Sequence, residues 1–315
     1  MQQWQPNSSL QCMQQRACLL ARAREYFQSQ NVLEVETPLV SAYTVTEPNI
    51  ESINFQLEGL DKYLQTSPEY AMKRLLAAGV PDCYQICKAF RLGENGPRHN
   101  PEFTLIEWYR RTFNLQQMIE DTLSLLSHLS TNLNVSTVVS YEQAWQDALG
   151  VSWAELSDVH LSELASTQGC VNSEQLNTAQ LLDFIFSQAV SRHFSSDGLT
   201  VIYGYPITQA ALAQNNIDQP NTVDRFEVFF QDLELANGYV ELTDANELRR
   251  RFEKDLVTRA AMGLPLVALD QRLLAAQQAG LPACAGVAVG LDRVLMALNS
   301  SQDIGQVLSF DWHQA

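Results

Sequence analysis

The run Phe90-Arg91-Leu92-Gly93-Glu94-Asn95-Gly96-Pro97-Arg98-His99-Asn100-Pro101-Glu102-Phe103-Thr104-Leu105-Ile106-Glu107-Trp108-Tyr109-Arg110 sets two strand-like stretches on either side of a Gly-Pro break. Proline has no N–H and a locked φ, so neither stretch can continue through it, and the pattern predicts a β-hairpin with arginines and acids in its loop. On the second strand the period of two sends Phe103, Leu105, Glu107 and Tyr109 to one face. An aromatic plate, a carboxylate and a phenol on one surface suit an adenine ring and an ammonium group. A plain β-ribbon with solvated charges carries the same alternation, so the rest of the chain decides between the two readings.

With 46% apolar residues in 315, the chain can bury a substantial core. Its net charge of −16 repels polyanions unless the basic residues gather in one cleft, so extended tRNA or DNA binding is disfavoured. The first residues contain no apolar signal region, and no later run approaches the roughly 18 apolar residues of a membrane helix. We expect a soluble, cytoplasmic protein with no membrane partner. The six cysteines form no C-x-x-C pair, which predicts reduced thiols rather than a zinc site.

Ser8 or Ser9 can cap a helix carrying Leu10, Met13, Ala17, Leu20 and Phe27 at helical spacing and ending near Asn31. An alternating strand, Val32 to Pro38, follows. Thr66-Ser67-Pro68-Glu69-Tyr70 precedes a helix over Tyr70 to Ala78, where Glu69 serves either as a dipole partner or as a ligand. From about 114 to 195 the apolar stripes are helical, among them Leu115, Met118, Ile119, Leu123 and Leu126, then Leu181, Leu182, Ile185, Phe186 and Val190. Thr200 to Tyr205 returns to strand character. With no repeat and no linker, residues 1–315 read as a single α+β domain with a helical insertion.

Glu227 and Glu234 flank a Gln231-Asp232 pair that can turn a hairpin and bring two carboxylates together, a donor set suited to Mg²⁺. Asn237, Tyr239 and Glu241 share a face by alternation, whereas Glu234 has the opposite parity. All four share one face only if a bulge falls between Glu234 and Asn237. Near the C-terminus, Cys284-Ala285-Gly286-Val287-Ala288-Val289-Gly290-Leu291-Asp292-Arg293 reads as a small-residue strand entering a helix. Arg293 at that helix N-terminus is electrostatically misplaced unless an anion sits there. No Walker A or Gly-x-Gly-x-x-Gly sequence competes for the nucleotide.

These segments together resemble the class II aminoacyl-tRNA synthetases. The helix-strand-Pro element over about 10–40 resembles motif 1, the hairpin over about 84–110 motif 2, and residues 284–298 motif 3. His99-Asn100-Pro101-Glu102-Phe103, Glu107-Trp108-Tyr109 and Leu235-Ala236-Asn237-Gly238-Tyr239-Val240-Glu241 resemble the lysine branch. The resemblance implies a mixed, mostly antiparallel sheet flanked by helices, a homodimer built on motif 1, and an aminoacyl-adenylate made from ATP. It implies catalytic arginines at Arg91 and Arg293, and ATP contacts from Arg91, Glu94, His99, Asn100, Phe103, Glu234, Leu235, Gly290 and Arg293. It further implies Mg²⁺ at Glu227 and Glu234, and amino-acid contacts from Ser67, Pro68, Glu69, Glu107, Tyr109, Asn237, Tyr239, Glu241 and Ala288.

Motif 1 begins about ten residues from the first residue, which we read as leaving no room for an anticodon-binding domain. With Ser67-Pro68-Glu69, the His99 to Phe103 run and Gly286-Val287-Ala288-Val289-Gly290, the chain resembles the elongation factor P (R)-β-lysine ligase family, truncated paralogues of lysyl-tRNA synthetase. That resemblance implies (R)-β-lysine or lysine as substrate and a lysine side chain of elongation factor P as acceptor. Ala288 stands where the synthetases have glycine, and either reshapes the pocket or simply packs the strand. The synthetases' Phe-Arg-Asn-Glu becomes Phe90-Arg91-Leu92-Gly93, and whether Glu94 takes over the glutamate's place stays open. The alternatives are a tRNA-charging or free adenylate-forming core, and a catalytically silent lysine sensor.

Overall fold

The computed structural model describes residues 4–195 and 197–315. They group into two compact units, Met1–Asn114 with Glu241–Ala315, and Leu115–Val240. The first unit opens with α1 (Leu10–Ser29), whose N-cap is Ser9: its hydroxyl accepts the N–H of Cys12. Leu19, Ala23, Tyr26 and Phe27 form the buried stripe, and Asn31, at φ 55, supplies the left-handed exit that asparagine tolerates. The strand expected over Val32 to Pro38 is only β1 (Leu33–Glu34). Pro38 cannot donate, and the ladder ends with the Val35 N–H bond to Tyr84.

Next come β2 (Val40–Ser41), β3 (Asn54–Leu57) and β4 (Leu60–Leu64), a small antiparallel sheet in the order β2-β4-β3. Helix α2 (Glu69–Ala77) leads to the expected hairpin of β5 (Cys83–Phe90) and β6 (Glu102–Arg111). β1 runs parallel to β5.

The second unit comprises α3 (Leu115–Leu129), β7 (Val135–Ser140), α4 (Tyr141–Leu149), α5 (Asp158–Thr167), α6 (Thr178–Ile185), β8 (Leu199–Pro206), β9 (Thr222–Phe230) and β10 (Leu233–Val240). β7 is a strand inside the stretch read as wholly helical. Its Val135, Val138 and Val139 belong to a β-branched run, and it pairs in parallel with β8. The strand order is β10-β9-β8-β7. The helical stripes do pack as a core: Leu181, Leu182, Ile185, Phe186 and Val190 close over Tyr141, Trp145 and Tyr205, with Tyr141 stacked on Phe186 at 4.9 Å between centroids.

The chain then completes the first unit with α7 (Ala245–Ala261), α8 (Gln271–Gly280), β11 (Cys284–Gly290) and α9 (Leu291–Leu298). Asp244 and Asp270 cap α7 and α8. β11 pairs antiparallel with β6, giving the order β1-β5-β6-β11. Each unit is thus α+β, with strands that are mostly antiparallel and one parallel pair. Among the described residues no helix is long and apolar enough to cross a membrane.

Candidate active site

Cross-strand pairing fixes one face of the first unit. Glu107 lies opposite Gln85 and Ala288, and Tyr109 opposite Cys83 and Gly286. Directly opposed residues point the same way, so Leu105, Glu107, Tyr109, Gly286 and Ala288 share a face, as the alternation predicted for β6. The Tyr109 hydroxyl donates to Glu107 Oε1 at 2.6 Å, and Glu107 is only 3% exposed. Glu241, 1% exposed, reaches the same place through its N–H bond to the Cys284 carbonyl. A Cβ on Gly286 would lie 2.4 Å from the Tyr109 ring and 2.6 Å from Glu241, so glycine makes the room in which phenol and carboxylate meet.

The sequence reading missed what sits among these acids. Lys73, 3% exposed on the inner side of α2, places Nζ 2.6 Å from Glu69 Oε1 and 2.5 Å from Glu241 Oε2. Its signal was present as an i, i+4 Glu-Lys pair at the start of a helix. Burial works against the Lys73 charge, but Glu241 and Glu69 outweigh it and hold the ammonium above its ordinary range. Burial, then the charge of Glu69, pushes Glu107 up to about 8 against the hydrogen bonds from Tyr109 and Ser67. Burial likewise raises Glu241, with Lys73 opposing. Ser67 also accepts the Glu69 N–H at 3.0 Å, and Pro68 is the N-cap residue of α2. Met72, Leu76, Cys83 and Cys284 form an apolar wall with Tyr109.

The motif 2 loop brings Arg91 over the Phe103 ring, 5.1 Å from Cζ to centroid, and within 3.4 Å of Glu94. Arg91 Nε is buried without a hydrogen-bond partner. Gly93 adopts the left-handed φ of +82, and the Leu92-Gly93-Glu94 turn leaves Glu94 within reach of Arg91. Asn100 spends its amide on the Glu102 carbonyl and the Trp312 N–H. In α9, Arg293 Nη2 lies 2.7 Å from His99 Nε2, while Asp292 turns inward to accept the Thr104 N–H and a bond from Arg16. At Gly290 the nearest neighbour of an added Cβ would be the Arg293 side chain, at 3.8 Å.

In the second unit Gln231 and Asp232 make the expected turn, and the register shifts between Glu234 and Ala236. That bulge absorbs Leu235, which is 2% exposed, and sets Glu234, Asn237 and Tyr239 on the face of Arg225 and Glu227. Glu227 accepts from Tyr205 at 2.7 Å and from Arg225, whose guanidinium lies 4.7 Å over the Tyr205 ring and also bonds Asn237 and the Gln209 carbonyl. Burial raises Glu227 to about 7, with Arg225 opposing and Glu234 adding to the rise. Arg225 and Tyr205 carried no motif signal. Among the described residues no group of three or more His, Cys, Asp or Glu is arranged as a metal site.

The family model for class II tRNA synthetases (D, K and N) matches residues 2–314. Proteins named elongation factor P (R)-β-lysine ligase are similar throughout. The one from Avibacterium paragallinarum is 40% identical over 319 residues, covering 99% of each chain. That from Klebsiella pneumoniae subsp. pneumoniae is 42% identical, covering 98% of this chain and 97% of its own. That from Haemophilus ducreyi is 40% identical, covering 99% and 97%. A family model that spans residues 2–314 and relatives about 40% identical over nearly the whole chain agree: the chain belongs to the class II tRNA synthetase family of the D, K and N type.

Proposed function

We propose that this protein is an ATP-dependent ligase that activates (R)-β-lysine or lysine as an adenylate and transfers it to a lysine side chain of elongation factor P. The observation that carries the substrate class is the acid excess of the first unit, with Glu69, Glu107 and Glu241 set around one ammonium, Lys73. Buried charge must be paired, and a substrate with two ammonium groups supplies what the cage lacks. The relatives' names support the acceptor, and the −16 net charge weighs against tRNA in that role.

In the first step the substrate carboxylate attacks the α-phosphorus of ATP and pyrophosphate leaves. Arg91 would bridge carboxylate and phosphate by bidentate bonds, a role supported by its unpartnered Nε. Arg293 would neutralise the departing phosphates, and Phe103 would stack on adenine. Glu69, Glu107, Tyr109 and Glu241 would hold the amines. Mg²⁺ suits a pair of carboxylates completed by substrate phosphates, and the second unit sets Glu227 and Glu234 on one face. Glu227 and Glu234 would hold it, and bound there it supplies charge neutralisation for pyrophosphate. In the second step the acceptor amine attacks the adenylate carbonyl, forming an amide and releasing AMP.

We further propose a homodimer built on the motif 1 element, supported by the exposed Leu10, Leu33, Leu39 and Val40. Cytoplasmic residence is supported by six free cysteines. The test is mass spectrometry of elongation factor P incubated with the enzyme, ATP and each lysine isomer. The expected gain is one lysyl residue on one side chain. An unmodified acceptor alongside active ATP–pyrophosphate exchange would reject the ligase reading, and charging of tRNA instead would select the synthetase alternative.

A further inference from the structure

We propose that Lys73 is a positioning and specificity-determining residue of the amine pocket: held between Glu69 and Glu241, its ammonium cancels one of three carboxylates, so that what remains matches the two ammonium groups of a diamino acid. The inference rests on the preceding reading that the pocket takes such an acid.

Lysine is almost never fully buried unless paired, and Lys73 is 3% exposed with carboxylates at 2.6 and 2.5 Å. A purely structural ion pair would need one acid. Here the ammonium lies between two, and a third, Glu107, stands on β6, where it accepts hydrogen bonds from Tyr109 and Ser67 and also feels the Lys73 charge. The titratable groups around the cage are Glu69 on α2, Glu107 and Tyr109 on β6, Glu241, and the thiols of Cys83 on β5 and Cys284 on β11. Lys73 is tied to Glu69 and Glu241, and its charge also acts on Glu107, whereas Arg111 acts on Cys83 at the edge of the cluster. Without it, three acids would face two substrate amines, and the pocket would take up a proton in place of a ligand group. With it, Glu69 and Glu241 are also fixed in place, since each is tied to the same Nζ.

The experiment compares wild type with Lys73→Met, which keeps the length and removes the charge, and with Lys73→Arg. ATP–pyrophosphate exchange gives separate KM values for the diamino acid and for ATP, and a thermal melt reports folding. Lys73→Met is expected to raise the amino-acid KM about 30-fold or more while leaving the ATP KM within about twofold. Lys73→Arg, which keeps the charge, is expected to stay within about tenfold of wild type. A folded Lys73→Met with an unchanged amino-acid KM overturns the inference. So does tighter binding, which would mean that the resident ammonium merely occupies a substrate position. If Lys73→Met does not fold, a loss greater than tenfold in folded Lys73→Arg overturns it. Wild-type enzyme that shows no exchange with either lysine isomer overturns the functional reading and this inference together. Normal wild-type turnover with an indifferent Lys73→Met overturns this inference alone.

Discussion

Two buried glutamate sites, one in each unit, are built from similar parts and differ in the cation they enclose. In the first unit the acids surround Lys73, a compact point charge at the end of a flexible stem. In the second, Glu227 meets Arg225, whose planar fork is also bound by Asn237 and the Gln209 carbonyl and stacked on Tyr205. An arginine tied at so many points locks its strands, whereas the acids of the first unit enclose a single point charge on a flexible stem. Fixed charge on a hairpin and adaptable charge among buried acids therefore come from the choice between two basic residues.

The sharpest way to break this contrast is Glu241→Gln. Removing one partner of a buried charge pair should weaken diamino-acid binding by about 2–4 kcal/mol, with the Mg²⁺ dependence of exchange unchanged, as calorimetry and exchange rates will report. Arg225→Met should act on folding instead: leaving Glu227 buried beside Glu234 without its cation is expected to cost about 3–5 kcal/mol, read from the denaturant midpoint. Gly286→Ala drives a methyl into Tyr109 and Glu241 and is expected to cost about 1–3 kcal/mol of stability together with loss of amino-acid binding.

The smallest effect is in pH. Glu107 is raised from the ordinary carboxylate range to about 8, so between those limits the folded protein holds a proton that the unfolded chain has lost. The resulting stability is present at low pH and falls as pH rises, by at most about 1.4 kcal/mol per pH unit for one proton, levelling above the folded value. Binding of a diamino acid near neutral pH should release that proton. Titration calorimetry in buffers of different ionisation enthalpy will detect the release, and Glu107→Gln should abolish it.

Local rules reached far into this molecule. Period-two alternation put Glu107 and Tyr109 on one face, the Gln231-Asp232 pair turned its hairpin, and opposite parity at Glu234 demanded the bulge that the register contains. They failed where the partner is distant in the chain. β7 lay among helical stripes because strand identity there depends on pairing with β8, and the motif 1 strand shrank because only two of its residues find β5.

The sequence by itself determined the family, the α+β class and the identity of the acids and arginines, because strand period, turn chemistry and motif spacing are local. Only the tertiary structure decided what those acids face. Lys73 and Glu241 are far apart in sequence and 2.5 Å apart in space. Leu235 is hidden in a bulge, and Gly286 is indispensable for the ring and carboxylate packed against it rather than for its own backbone. Charge compensation and steric fit are relations between distant segments, and folding alone brings those segments together.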